Sequence, residues 1–404
     1  MAKRRPNGAG TITKRKDGRY QGAAYVTTTD GLRERVFRYG HSWDEVAEKL
    51  AKLQEQERNG VPVPSRAWTV GEWLTYWLAQ IVQPSTEHNT YAKYEGKVRL
   101  YLIPHLGKKS LPRLSPAQVR EAMARMKKDG VPAPTRAESL RVLRNALNRA
   151  RREELVTRNV AELVDMPTVD TKERKPWSAK EAITFLGTAR EHRLYAAFVV
   201  LLTLGLRRGE LLGMRWSDID FDNEQATPTR QVQREKGELV VKKLKTDSSN
   251  AALPLPAFVA EALRERQRVQ CEEKAKAGSH WHQEPGEDLI FTERHGGPIE
   301  PRGFSRTFDT LVHRVAEQQR KERAERPHQV DSPEPLRRIT VRLARHTCGT
   351  LLAFLKVHPK SAQAILRHSQ ISMTMDIYTH VVDDDQRAAA QLLADLLRGP
   401  EQGG

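Results

Sequence analysis

Apolar positions along the chain change their spacing three times, and each change marks a boundary. Up to residue 40 they alternate with polar ones in short runs at 10–13, 20–28 and 32–39, split by the turn formers Lys16-Asp17-Gly18 and Thr29-Asp30-Gly31. That spacing predicts three strands. Ser42 with Glu45 has the form of a capping box and opens a helix to about residue 58. The two prolines of VPVPSR (61–66) then make a stiff linker.

Beyond it the period becomes helical. Thr69 with Glu72 caps a first helix, and a second covers about 86–102 and is stopped by Pro104. Ser115-Pro116 with Gln118 starts a third, and Thr135 with Glu138 a fourth. In the fourth, Leu140, Leu143, Leu147 and Ala150 form one apolar stripe, while Arg141, Arg144, Asn148, Arg151 and Arg152 fall largely off it. A leucine seam with a basic outer face suits a four-helix bundle that grips a nucleic-acid backbone.

The polar stretch 168–176 ends this bundle. Trp177 and the Ser178/Glu181 box then open a mostly helical region to about residue 398, interrupted by strand-like segments near 227–233, 239–244 and 252–255. Residues 320–335, rich in charge and proline, read as a mobile loop. The expected fold class is multidomain, mainly α with small β elements. Its parts are a three-stranded sheet with one helix (1–60), a linker (61–67), a helical bundle (68–165), a linker (166–176), a mixed but mostly helical domain (177–398) and a tail (399–404).

Size and charge narrow the picture. A chain of 404 residues exceeds one ordinary core. Lys and Arg number 68 against 51 Asp and Glu, a net charge of +17, which points to a polyanionic partner. Up to residue 40 the basic residues include Lys14, Arg15, Arg19, Arg33 and Arg35, placed along the expected strands. Such a sheet can enter a DNA groove, or it can simply be a solvated charged surface. Cys271 and Cys348 are the only cysteines, which excludes a disulfide framework and a Cys-rich zinc site. The N-terminus carries charge without an apolar stretch behind it, unlike a signal peptide. The longest apolar run, AAFVVLLTLGL (196–206), is about half of what a membrane span needs. A reduced, cytoplasmic protein with no membrane partner is expected.

Several side chains have the chemistry for cutting a DNA strand without a metal. That reaction needs a nucleophile, cationic donors for the nonbridging oxygens and an acid for the departing 5′-oxygen. A tyrosine phenol can attack once cations stabilise it, and arginine binds two phosphate oxygens without losing its charge. Arg207 follows the apolar run at the Gly205-Leu206 break, and Glu210, one turn on, could instead make it half of an internal ion pair. Lys245 stands in LKTDSS, with Lys242 and Lys243 as rivals. Arg342 and Arg345 stand in RLARHT, His368 in ILRHSQ and Tyr378 in DIYTH.

TGLRRGE, KTDSS, RLARHT, ILRHSQ and DIYTH, in that order, resemble the tyrosine recombinase (phage integrase) family. The likeness runs over about 68–395, since YLIPHLGKKSLPRLSPAQV also resembles the family's core-binding domain. The first 60 residues are similar, with weaker motifs, to the arm-type DNA-binding domain of phage and conjugative-element integrases. The resemblance implies that Arg207 and Arg345 clamp the scissile phosphate, that Glu210 supports them and that Lys245, on a β-hairpin, protonates the leaving oxygen. His368 would bond the phosphate and Tyr378 would attack it, giving a 3′-phosphotyrosyl link with no cofactor or metal.

It further implies a C-shaped clamp on double-stranded DNA with core and arm sites, a homo-tetramer, a Holliday junction, and an excisionase or host DNA-bending protein for direction. Three departures stand out: Arg342 where histidine is commonest, Arg367 within the Leu-Gly-His box, and Asn250 where an arginine often follows. An arginine cannot accept a proton at neutral pH. His346 is expected to be structural. The C-terminal AAAQLLADLL (388–397) could pack on a neighbouring subunit or on its own domain. A type IB topoisomerase and a catalytically inactive DNA-binding regulator remain alternatives.

Overall fold

The computed structural model describes residues 11–28, 31–60, 68–169, 175–244, 251–283, 286–325 and 334–379. The chain divides into two compact units, one ending at Thr171 and one beginning at Lys172.

The first unit opens with strands β1 (Thr11–Lys14), β2 (Tyr20–Thr27) and β3 (Arg33–Gly40), antiparallel in the order β1-β2-β3. Helix α1 (Trp43–Arg58) covers one sheet face with Val46, Leu50 and Leu53. Ser42 caps it as expected, but Glu45 reaches the amide of His41. Gly22 lets the helix come close, since a Cβ there would lie 2.6 Å from Val46. On the other face Tyr25 pairs with Arg35 across the strands, and Tyr25, Phe37 and Tyr39 are exposed.

Four rods follow. The first combines α2 (Val70–Tyr76), a wide π turn (Trp77–Val82) and α3 (Gln83–Ser85). The second combines α4 (His88–Lys97), another π turn (Val98–Leu102) and α5 (Ile103–Leu106). Pro104 therefore does not stop this helix, contrary to the sequence expectation. Each π turn lies just before a proline, Pro84 or Pro104. Its wider bonds, Gln83 to Leu78 and Ile103 to Val98, ease the clash a proline ring makes with the carbonyl four residues back.

The third and fourth rods are α6 (Pro116–Lys128) and α7 (Ala133–Arg152). The Thr69/Glu72 and Ser115/Gln118 boxes form as expected. α7 does not use Thr135 as its cap: it starts behind Pro132, and Pro134 in its first turn presets the helical φ. Leu140, Leu143, Leu147 and Ala150 are buried in the bundle core, where Trp73 Nε1 donates to the Ala146 carbonyl at 2.9 Å.

The second unit contains α8 (Ala179–Thr188), α9 (Tyr195–Thr203) and α10 (Arg208–Leu212). Five short strands follow: β4 (Ile219–Asp220), β5 (Gln225–Ala226), β6 (Arg230–Glu235), β7 (Glu238–Lys243) and β8 (Leu253–Pro254). They form a β4-β5-β8 sheet and a separate β6-β7 hairpin. Five helices complete it: α11 (Ala257–Ala277), α12 (Pro301–Glu325), α13 (Val341–Phe354), α14 (Pro359–Leu366) and α15 (Ser372–Thr379).

α9 has almost nothing polar to expose and is buried nearly throughout. Its Phe198 joins Trp177, Phe185, Phe304 and Phe308 in a chain of ring contacts. Residues 320–325, expected to be mobile, continue α12. Their Arg, Lys, Glu and Ala residues are good helix formers and simply extend an element nucleated by its apolar face. In α13 Ala344, Thr347 and Cys348 face inward, whereas Leu355 just past its end is 70% exposed. Residues 326–333 and the C-terminal segment 388–397 lie outside the described residues.

Candidate active site

The site is built on a tight turn. After α9 the chain reverses at Gly205, whose φ of +59° suits a residue without a Cβ. A side chain there would also meet Leu366 at 2.9 Å and Cys348 at 3.1 Å. α10 then sits directly on the backbone of β6. A Cβ at Gly213 would lie 2.7 Å from Arg230 and Gln231, and one at Gly209 would lie 3.0 Å from the Val232 carbonyl. These three glycines explain the spacing of TGLRRGELLG: they allow the close approaches that put Arg207 in front of α10.

Arg207 donates to Glu210 Oε1 at 2.8 Å, and its backbone amide bonds the other oxygen at 3.1 Å. Glu210 is buried, whereas the Arg207 side chain remains 43% exposed. The internal ion pair and an available guanidinium are thus both present. From α13, Arg345 reaches the carbonyls of Gly205 and Leu366. Burial, with the charges of Arg207 and Arg367 nearby, pulls Arg345 down to about 10, still cationic at neutral pH. Three guanidiniums therefore surround one carboxylate, Glu210. The imbalance favours binding an anion.

His368 follows α14 at the same place, its Nδ1 3.0 Å from Thr374 Oγ1. Burial, then the charges of Arg345 and Arg207, push its pKa down to about 4. It is a neutral imidazole at physiological pH. Burial also lowers His346, beside Arg342 and Arg345.

These groups line a groove of about 2030 Å³, together with Lys175, Lys180, Arg208, Arg306, Arg337, Arg338 and Arg342. Only Asp309 and Asp376 among its lining residues are acidic, so the groove is strongly cationic. Arg306, Arg337 and Arg338 carry no recognisable local motif, and only the packing of α12 against the segment before α13 brings them here.

Tyr378 is not in this groove. Its ring packs on Ala353, Ala362, Leu352 and Val357, and its hydroxyl donates to the Val357 carbonyl at 2.7 Å. Burial raises its pKa. Its neighbours Asp376 and Ile377 do face the groove.

The hairpin turn between β6 and β7 is at Lys236 and Gly237, both with positive φ. Lys245 lies outside the described residues. Of its rivals, Lys242 pairs with Glu235, and Lys243 ends β7.

In the first unit, Arg144 is not on an open outer face: it donates to the Ala161 and Val164 carbonyls and ties down the segment after α7. Arg141 pairs with Glu138, and Arg151 approaches Glu162 only to 3.9 Å. Lys14 lies over the Tyr20 ring, Arg15 over Tyr39 and Arg35 over Phe37. Arg19 pairs with Asp17, and Arg33 is exposed. Among the described residues no cluster of His, Cys, Asp and Glu could hold a metal ion, and no helix is long and apolar enough to cross a membrane.

The model of the phage integrase family matches residues 178–385, just over half of the chain, and that of the phage integrase N-terminal SAM-like domain matches 69–127. A tyrosine recombinase XerC-like protein of Caldanaerobacter subterraneus is 28% identical over 89% of this chain and 91% of its own length. An integrase of Saccharopolyspora erythraea is 24% identical over 96% of this chain and 97% of its own. Among solved structures, the Tn1549 transposon integrase in complex with transposon right end DNA superposes with a TM-score of 0.66 at 26% identity, covering 81% of this chain and 99% of that one. A lambda integrase tetramer bound to a Holliday junction shares the fold at 15% identity, with a TM-score of 0.51 and coverage of 93% and 96%. The arginines gathered around Glu210 and the matches over both units agree: the chain belongs to the phage integrase family, the tyrosine recombinases.

Proposed function

We propose that this protein is the integrase of a prophage or integrative element, a site-specific recombinase that cuts and rejoins double-stranded DNA. The observation that carries the reading is the guanidinium cage: Arg207 and Arg345 beside one buried carboxylate, at the floor of a cationic groove. A phosphodiester supplies the missing negative charge, and the two arginines hold its nonbridging oxygens as charge develops.

Tyr378 attacks the phosphorus, and the bond to the 5′-oxygen breaks. Lys245 gives a proton to that oxygen, leaving a free 5′-hydroxyl and a 3′-phosphotyrosyl bond. Arg342, a pure donor, stabilises the phosphate. The phenolic proton passes instead to the neutral imidazole of His368, which lines the groove. Because the phosphotyrosyl bond stores the energy of the original ester, the reaction needs neither ATP nor a metal.

For attack, the phenol must leave the Val357 carbonyl and turn into the groove, so the described arrangement holds the nucleophile back. Rejoining to a partner duplex gives a Holliday junction and involves four protomers, with the exposed sheet face of the first 60 residues reading arm sites. The bundle grips the backbone of the core site.

Incubating the full chain with a nicked suicide duplex carrying its attachment site tests the reading. A covalent adduct mapped to Tyr378, and absent from Tyr378→Phe, is expected. An adduct on another side chain, or none, would overturn it, and plasmid relaxation without two-site recombination would favour a topoisomerase.

A further inference from the structure

The turn after α14 adopts a left-handed conformation at residue 367, φ +50° and ψ 48°, where glycine is the favoured residue. An arginine stands there instead. Its side chain is fully buried, and its guanidinium donates to Glu210 Oε2 at 2.6 Å. Both features are unfavourable for folding: the backbone is strained, and a charge is taken out of water. What they produce is a specific geometry.

Glu210 is held at both oxygens, by Arg367 on one and Arg207 on the other. The backbone of the same turn completes the arrangement. The Leu366 carbonyl accepts from Arg345, and the Arg367 carbonyl faces Arg207 Nη2 at 3.5 Å. These are carbonyls at the C-terminal end of α14, which lack partners within the helix and carry its negative pole. Both phosphate-binding arginines are thus anchored on one short turn.

We propose that Arg367 is a positioning residue for strand cleavage. Through Glu210 its side chain fixes Arg207, and through its left-handed backbone it aims two helix-end carbonyls at Arg207 and Arg345. The proposal rests on the recombinase reading above, with those two arginines on the scissile phosphate.

The test is single-turnover cleavage by the full chain on two nicked duplexes. One carries an ordinary phosphodiester at the scissile position; the other carries a neutral methylphosphonate there, which asks less of a guanidinium clamp. Arg367→Gly removes the guanidinium and suits the backbone. It should slow cleavage of the diester by roughly tenfold or more, a smaller loss than the roughly 10²–10³ that follows removal of a direct charge-stabilising donor. The slowing should shrink toward none on the methylphosphonate, with duplex binding unchanged.

Arg367→Lys, which keeps the charge but loses the fork, should fall between. Adding Glu210→Gln to Arg367→Gly should cost little more than the worse single change. Equal slowing on both duplexes, or cleavage of the diester at the parent rate, overturns the proposal. Each ratio is measured within one preparation, so partial unfolding cancels; should Arg367→Gly not fold, Arg367→Lys carries the same comparison. If the parent chain forms no adduct at all, the recombinase reading itself fails, an outcome separate from a parent that cleaves and an Arg367 variant that cleaves equally well.

Discussion

Tyr378 faces two opposed demands. In the proposed reaction it must reach a phosphate, yet its hydroxyl is bonded to Val357 and its ring is packed in a small apolar cluster. Tyr378→Phe keeps the ring and loses that hydrogen bond. We expect it to lower the unfolding free energy by about 1 kcal/mol, measured by denaturant titration, besides abolishing the adduct. His368 makes a second residue-scale prediction. Its folded pKa of about 4 lies below the ordinary value near 6.5, so on acidification the unfolded chain takes up the proton first. Its contribution to stability is therefore complete above about pH 6.5 and drains away as pH falls toward 4. Unfolding midpoints measured across that window should fall, and His368→Gln should flatten part of the slope. A slope identical in parent and variant would assign the loss to other groups.

At the scale of elements, close backbone approaches decide where the chemistry sits. α10 is only five residues long, so its own hydrogen bonds cannot fix it, and its position comes from contact with β6 through Gly209 and Gly213. Gly213→Ala forces a methyl against the backbone of Arg230 and Gln231. It should cost about 1–3 kcal/mol and slow adduct formation as α10 and Arg207 shift, although the residue touches no phosphate. Denaturant titration and single-turnover cleavage on the same preparation check it; unchanged cleavage would show that α10 is seated by other contacts. The proline-adjacent π turns make a related point. A rule that prolines stop helices treats the helix as uniform, and local widening lets both rods continue for another turn.

Over the whole molecule, charge is distributed so that one groove collects what the chain scatters in sequence. Lys175, Arg207, Arg306 and the Arg338–Arg342 segment come from four separate stretches and share a single lining. Binding to duplex DNA should therefore weaken steeply with salt, the slope of log K against log salt being about −0.9 per phosphate neutralised. Arg306→Ala and Arg342→Ala should each make that slope shallower by about one without altering the fold. A slope unchanged in both would remove the groove from the DNA path.

The strands, the bundle, its leucine seam and most helix caps were legible in the sequence, because periodicity and capping are local properties. So were the segments holding Arg207, Arg345, His368 and Tyr378, recognisable as short motifs in a fixed order. Tertiary structure alone decided that Arg144 ties down a loop, that Arg367 joins the cage and that Tyr378 is withheld from the groove. The reason is physical. A guanidinium's role depends on which carbonyls and carboxylates packing brings within about 3 Å, and those at Gly205, Glu210, Leu366 and Ala161 come from distant parts of the chain.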